Sequence, residues 1–453
     1  MDKRVFDYKK RWQISSEPKG VENTTKFQDF GTERIDPDRY VSKNFMDAEW
    51  DKIWTKTWLM ACSSTDIKEV GDYFNFNIGK ESIIVMRSSE NSVHAFYNVC
   101  PHRGNRLFFD DFGFVKDIGC RFHGWKFNLD GTNQQVTDSE TFREEVLCFD
   151  LDLSKVKVEE ECGFIWVSMN DNIVSVREYL GEVAEHLDLY KINKMNVIRH
   201  AKSDWAANWK TGLESFYETY HLSFIHPQTQ GMMEDYYVPI DTWANGMNRM
   251  IVPFVEPSKR QEGENLVNEA TNIMLADVGI EPSSFDGNAV DAKKAIQKKK
   301  REFSNKFDLG YERYTDAQLT DSFVYGIFPN IQLGCHPEGV FVHKFMPHPN
   351  DPELFTYETF INYRVVDNPD YHVPAWFGLP ENTDTSGKNR PEITHYPLGV
   401  KPDLGEVLDQ DAELIPFVQD GIRSRGFKGP LWSEQELRLR HFHFQIDQYM
   451  NSD

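Results

Sequence analysis

The sequence predicts an α+β protein of about two domains: an antiparallel β region over 41–175, then a larger region over 176–453 that mixes helices with a second antiparallel sheet. Three observations predict this. A chain of 453 residues is longer than one core usually sustains. Short runs rich in β-branched and aromatic residues, separated by turn signals, fill the first region. Beyond about residue 180 the runs lengthen and helical patterns appear between them.

Residues 1–40 read as an arm of polar and helical pieces. Its first ten residues, Met1 to Lys10, contain no apolar stretch, so no signal peptide is expected. Strands are predicted over 72–78, 82–86 and 93–97, and a late strand over 164–169. Gly119, Gly124, Gly131 and Gly163 mark turns among them. The segment 257–310 is charge-rich, from Glu262-Gly263-Glu264-Asn265 to Lys298-Lys299-Lys300-Arg301, and reads as peripheral helices and loops. Its basic run is expected to be a solvated helix face, with docking of an acidic redox partner as the alternative. Strands of the second sheet are predicted over 321–333 and 355–365.

Composition narrows the function. A hydrophobic content of 40%, with 14% aromatics, supports ample cores. A formal charge of −22 argues against nucleic acid or an anionic membrane as a partner. No stretch approaches the roughly 18 apolar residues of a membrane span. Of six cysteines, Cys62, Cys148, Cys162 and Cys335 are scattered in mostly apolar contexts. They read as buried free thiols of a cytoplasmic protein.

Two short stretches carry the chemistry. Cys100-Pro101-His102-Arg103-Gly104 is followed, after a 17-residue spacer from His102, by Cys120-Arg121-Phe122-His123-Gly124-Trp125. C-x-H with C-x-x-H supplies two thiolates and two imidazoles, the donor set of a [2Fe–2S] cluster with mixed ligation. A Cys2His2 zinc site is the alternative, although zinc loops usually pair like with like. Further on, His221 and His226 are five residues apart, with Pro227 closing the segment. On an ideal helix that spacing separates them by about 140°, so His221 is placed on a helix and His226 at its unwinding end. With a carboxylate from elsewhere they would form a 2-His-1-carboxylate triad for Fe(II) with positions left for dioxygen.

C-P-H-R-G and C-R-F-H-G-W resemble the cluster loops of Rieske non-haem iron oxygenases, the aromatic-ring-hydroxylating family, apart from Phe122 where the family usually has Tyr. Glu214, Glu218, Tyr220, His221, His226 and Pro227 match that family's E-N-x-x-[DE]-x-Y-H-x4-H-P signature, and Ser215 departs from it. The resemblance extends to a helix of the form E-D-x7-Q-x-G. It selects Asp411 as the third iron ligand, with Gln419 and Gly421 in register, Gln410 where the pattern has Glu, and Asp409 as runner-up. The tail around Phe442, His443, Asp447 and Met450 is also similar, and His441 and His443 are expected to be packing or surface residues rather than ligands.

The resemblance, which spans about 40–450, implies a Rieske antiparallel β domain followed by a helix-grip (START-like) catalytic domain. It implies that Cys100, His102, Cys120 and His123 hold [2Fe–2S], and that His221, His226 and Asp411 hold mononuclear Fe(II). Glu218 would be the catalytic bridge, between His221 and the cluster histidine His123 of a neighbouring subunit in a head-to-tail homotrimer. NAD(P)H-derived electrons would come from a separate reductase, directly or through a ferredoxin, since no G-x-G-x-x-G opens a helix after a strand here. A β subunit is a further partner the family admits. The implied activity is insertion of oxygen from O2 into a small organic substrate. The apolar Leu222, Phe224 and Ile225 favour a hydrophobic or aromatic one. Glu at 218 favours instead the carnitine, choline and betaine type of quaternary-amine monooxygenase, whose usual Cys after the first histidine is Leu222 here. An electron-transfer Rieske protein without oxygenase activity is the alternative of another class.

Overall fold

The structure, a computed structural model, describes Thr25 and residues 28–236, 238–260, 266–380 and 382–452. Most of the arm expected over 1–40, and residues 262–265 of the charge-rich segment, lie outside the described residues.

Ten strands occupy the first region: β1 Leu59–Ser63, β2 Asp72–Ile78, β3 Glu81–Ser89, β4 Ser92–Tyr97, β5 Phe112–Phe114, β6 Ile118–Gly119, β7 Lys126–Phe127, β8 Asn133–Gln135, β9 Lys155–Glu161 and β10 Phe164–Ser168. Seven form one antiparallel sheet in the order β1-β10-β9-β4-β3-β2-β5, and β6, β7 and β8 form a small separate sheet. The predicted strands over 72–78, 82–86, 93–97 and 164–169 all fall on members of the large sheet. Strands β1 and β10 are buried along their whole length, which is why Phe164-Ile165-Trp166-Val167 reads as an unbroken apolar run rather than an alternation.

The second sheet has eight strands: β11 Met195–Trp205, β12 Ile240–Thr242, β13 Asn248–Val252, β14 Ser322–Ile327, β15 Ile331–Cys335, β16 Gly339–Pro347, β17 Phe355–Arg364 and β18 Thr394–Tyr396. Their order is β12-β13-β14-β15-β16-β17-β11-β18, antiparallel except where β11 meets β18. The run expected over 321–333 folds back on itself, with Ile327 opposite Ile331. Pro329 has no N–H to give to a ladder, so it sits in the turn. One core joins the two regions, from Phe74 and Ile165 on the first side to Trp205, Phe345 and Phe355 on the second.

Helix α1, Trp209–Phe216, lies across the second sheet. The Asn208 side chain caps it by accepting from the Lys210 amide. A Cβ on Gly212 would come within 2.3 Å of the Phe355 ring, so only glycine lets the helix sit this close to β17. On the opposite side Lys210 Nζ meets Glu49 Oε1 at 2.7 Å, both side chains buried. Two helices cover the sheet's far end, α2 Glu269–Asp277 and α3 Ala289–Phe307. The basic run 298–301 does not form one solvated face: Lys300 is buried and pairs with Glu338 at 2.6 Å. Four successive residues of a helix point around most of its circumference, so one must face inward. Cys62 and Cys335 are buried as expected, but Cys162 is half-buried and Cys148 is exposed, on a surface loop after the short helix Glu144–Leu147. Among the described residues no helix is long and apolar enough to cross a membrane.

Removing one partner of a buried pair strands the other charge. Glu49→Ala is expected to cost about 3–5 kcal/mol, and Glu49→Leu with Lys210→Met much less; thermal unfolding of the two variants checks this.

Candidate metal centres

The two cysteine–histidine loops are built alike. In the first, which follows β4, the Cys100 amide bonds to the Asn105 carbonyl at 2.8 Å and the Gly104 amide to the Cys100 carbonyl at 3.0 Å. In the second, between β6 and β7, Cys120 bonds to Trp125 at 2.8 Å and Gly124 to Cys120 at 2.9 Å. Gly104 and Gly124 sit at φ 75° and 74°, a left-handed conformation that glycine alone adopts freely. Asn98 locks the exit of the first loop, its Oδ1 accepting from the Leu107 and Phe108 amides.

The loops converge. Both cysteines are buried, and the His102 and His123 rings lie 4.5 Å apart, edge to face. His102 stacks on Trp125 at 4.9 Å, and exposed Phe122 covers His123 at 3.9 Å. Nδ1 of each histidine is buried without a hydrogen-bond partner, as expected of lone pairs aimed at a metal. Burial raises both thiols, and backbone amides at the second and third following residues oppose it. The amides fall short at Cys100, pushed up to about 11, and prevail at Cys120, held below its ordinary value with help from the Cys100 thiol and Asn105. Those amide donors would stabilise cluster sulfur charge as well.

The second centre departs from the sequence reading in its backbone. Helix α1 stops at Phe216, so His221 is not on it. Residues 217–221 turn, and His221 and His226 flank a separate short helix, Leu222–Ile225. The carboxylate of Glu218 explains the break. Its Oε2 accepts from the amides of Tyr220 and His221, the latter at 3.1 Å, which competes with helix propagation. Its Oε1 meets His221 Nδ1 at 2.5 Å. Glu218 and His221 therefore meet through a turn and not along a helix face.

The third residue comes from α4, Glu406–Ile422. Asp411 is buried there, its Oδ1 3.2 Å from His226 Nε2 and 4.0 Å from His221 Nε2. Asp409 does something else: its Oδ1 accepts from the Leu404 amide at the start of the helix. Both imidazoles have their outer nitrogens occupied. Gln410 Oε1, which also accepts from Gln228 Nε2 at 2.9 Å, lies 2.6 Å from His226 Nδ1. That oxygen can only accept, so Nδ1 of His226 carries the proton and Nε2 presents a lone pair. His226 Nε2 and Asp411 Oδ1 are buried with no hydrogen-bond partner. Two acceptors facing each other at 3.2 Å repel unless a cation stands between them, and one ligand atom from each of His221, His226 and Asp411 lies within 4.8 Å of the others. The donor set and its geometry fit a facial triad. Burial opposes a charge on His221, yet the Glu218 carboxylate outweighs it and raises the imidazole above its ordinary value.

Two side-chain roles escaped the sequence. Gln410 orients His226, although it appears there only as a departure from a pattern. An aromatic cluster lies beside the centre, with Tyr357 within electrostatic reach of Asp411: Phe216 lies 5.2 Å from His343, 5.1 Å from Phe345 and 5.4 Å from Tyr357. His343 is pushed down to about 3 by burial and is a neutral ring, its Nδ1 2.6 Å from the Tyr357 hydroxyl. The alternation Phe341-Val342-His343-Lys344-Phe345 was the available signal. Conversely Phe224 does not line the centre; it is 75% exposed because its short helix turns it outward. His441 and His443, on the C-terminal helix α5, Leu437–Met450, pack rather than ligate, both buried, with His443 Nε2 2.8 Å from Glu214 Oε1 of α1. A further trio, Glu161, Cys162 and Asp188, is equally compact, but Arg177 forks between its carboxylates at 2.7 and 3.0 Å and already supplies the cation.

The family model for the ring hydroxylating alpha subunit (catalytic domain) matches residues 192–452, and that for the Rieske [2Fe-2S] domain matches 57–150. The chain belongs to the ring-hydroxylating α-subunit family and carries both of its domains. It is 30% identical over 193 residues to the carnitine monooxygenase oxygenase subunit of Acinetobacter pittii (strain PHEA-2), which is 42% of this chain and 51% of that protein. It is 30% identical over 217 residues to the benzene 1,2-dioxygenase subunit alpha of Pseudomonas putida, 45% of this chain and 47% of the relative. The matches thus span about half the length of these curated relatives. Among solved structures, the quaternary ammonium Rieske monooxygenase CntA in complex with L-carnitine aligns with TM-score 0.63 and 19% identity over 92% of this chain and 96% of that one. Naphthalene 1,2-dioxygenase with indole bound aligns with TM-score 0.66 and 19% identity over 94% and 93%. These likenesses are of fold.

Three substitutions separate the roles of neighbouring residues. Asp411→Ala is expected to lose the mononuclear iron and keep cluster iron and sulfide, whereas Asp409→Ala keeps all three; metal and acid-labile sulfide analysis reads the difference. Gln410→Ala frees the His226 ring and should weaken iron binding at that centre by about 10–100-fold, measured by titration of iron-depleted protein with Fe(II) under anaerobic conditions.

Proposed function

We propose that this chain is the terminal oxygenase component of a Rieske system, inserting oxygen from O2 into a small organic, hydrophobic or aromatic substrate. The observation that carries the reading is the convergence of His221 Nε2, His226 Nε2 and Asp411 Oδ1, in the same chain as a paired cysteine–histidine centre. The domains are divided near residue 175, into 41–175 and 176–453. Cys100, His102, Cys120 and His123 would hold the cluster, and His221, His226 and Asp411 the mononuclear iron. When bound, the cluster stores and passes single electrons and the ferrous ion offers open positions to dioxygen.

The chain's own residues would do the rest. Glu218 fixes the proton of His221 on Nδ1, and Gln410 does the same for His226, so both imidazoles bind through Nε2 in fixed orientations. Phe216, Phe345 and Tyr357 would exclude water from the substrate side, and neutral His343 adds no charge there. Glu218 lies on a surface hollow of about 430 Å³ whose walls include Val418, Leu431 and Trp432. Exposed Leu431 and Phe417 support a neighbouring subunit covering that face, as a head-to-tail homotrimer would require for transfer from His123 of one chain towards Glu218 of the next. Electrons are proposed to arrive from NAD(P)H through a separate reductase, in the cytoplasm. A second reading, quaternary-amine oxidation, is favoured by the carnitine and glycine betaine monooxygenase subunits among the relatives, and the aromatic cluster would also suit an ammonium group.

The test begins with iron, zinc and sulfide per chain on anaerobically purified protein. About three irons with two sulfides is expected; zinc without sulfide refutes the proposal. Glu218→Gln should keep both metals while product formation falls and the reduced cluster is no longer reoxidised during turnover, followed by its visible absorption. Unchanged turnover would remove Glu218 from the electron path.

A further inference from the structure

Arg438, near the start of α5, is 0% exposed. Its Nε donates to Asn248 Oδ1 on β13 at 2.6 Å. Among the described residues, neither Nη1 nor Nη2 has a hydrogen-bond partner. The guanidinium lies 4.4 Å from the centre of the Tyr217 ring. Tyr217 supplies a face but no charge, since burial pushes its phenol up and its hydroxyl donates to the Ile331 carbonyl at 2.9 Å. Burial pulls Arg438 down only to about 10, so it is charged at neutral pH. A buried charge without an ion-pair partner costs stability, and such costs gather at functional sites.

The position of this charge gives it a use. Tyr217 immediately precedes Glu218, the carboxylate whose field acts on the guanidinium, and Glu218 Oε1 meets His221 Nδ1 at 2.5 Å. The other charges nearby are weaker influences. Glu214 and Glu436 share the wall of the open hollow with Glu218, where water and salt screen them, and Glu214 is also bonded to Tyr40 and His443. His441, on the same helix as Arg438, is pushed down to about 4, chiefly by burial, and is neutral. Arg438 therefore brings an unscreened positive charge to the turn that carries Glu218 and His221.

We propose that Arg438 tunes the mononuclear centre by its field, loosening the hold on the metal ion and favouring the ferrous over the ferric state. The inference rests on the oxygenase reading above. Oxidation of a ferrous ion removes one electron and adds one positive charge among the ligands, so a nearby guanidinium penalises the product more than the reactant. Resting iron is thereby kept reduced. A packing role makes the opposite prediction: removing the side chain would loosen the turn and weaken metal binding.

Anaerobic titration with Fe(II) of protein that keeps its cluster but is depleted of mononuclear iron separates the two, at pH 8 where carboxylates are ionised. Arg438→Met is expected to bind Fe(II) about threefold or more tightly than the unsubstituted chain. In a redox titration followed by electron paramagnetic resonance, its ferric signal should appear at a lower potential. Unchanged or weaker Fe(II) binding refutes the proposal, as does a potential that stays or rises. Should Arg438→Met not fold, Arg438→Gln decides by the same two readouts, because its amide nitrogen stands where Nε stood and keeps a donor for Asn248. His226→Ala should lose the titrated Fe(II), which assigns the ion to this centre. Uptake that is unchanged in His226→Ala, or absent from the unsubstituted chain, refutes the iron reading itself and with it this inference.

Discussion

The seat of helix α1 on β17 is the constraint on which the mononuclear centre depends. With no side chain at 212, the helix backbone rests against the Phe355 ring, and Phe216 at the helix end drops onto Phe345 and Tyr357. The Lys210–Glu49 pair fastens the opposite side, and Glu214 is tied to Tyr40 at 2.8 Å as well as to His443. A helix held on three sides ends at a fixed place, and the turn that delivers His221 and His226 inherits that precision. The same sheet carries His343 and Tyr357, so donors and aromatic cluster share one rigid support.

The two candidate centres reach pre-orientation by different means. At the cluster loops it is the backbone: equivalent amide–carbonyl closures, a left-handed glycine after each histidine, and amides directed at sulfur. At the iron centre it is side chains, one outer-nitrogen acceptor per imidazole. Glu218 and Gln410 perform the same orienting task with different charge. The Glu218 carboxylate raises the basicity of His221, while the partner of His226 is a neutral amide. The two candidate nitrogen donors thus have outer partners of different charge, which follows from a single Gln where the family pattern has Glu.

The candidate metal ligands stood out because metals demand particular side chains, and C-x-H with C-x-x-H has few other uses. Asp411 was reached only through resemblance. Nothing local distinguishes it from Asp409 until the helix axis is known, and then one faces the histidines and the other the helix's own start. The strands over 72–97 and 355–365 were visible from their residue types. Where α1 ends was not. Glu218 to Ile225 contains acceptable helix formers, and the break comes from a carboxylate bonding to its own following amides, a local competition that periodicity does not register. The aromatic cluster was hidden for a different reason: alternation along β16 tells which residues share a face, but not which face the helices cover.

The sequence distances between donors give the two centres different histories in the folding chain. All four cluster candidates fall within a short stretch of two hairpin-like loops, closed by contacts between near neighbours, so that pocket can form as soon as its own strands pair. His226, by contrast, meets Gln410 across 184 residues, with most of the second sheet in between. The iron pocket closes only when α4 docks, after the costly long loop has been drawn in. On the proposed assignment, a growing chain would complete the pocket for the electron store well before the pocket for oxygen activation, and the hazardous half of the chemistry would be withheld until the protein around it was complete.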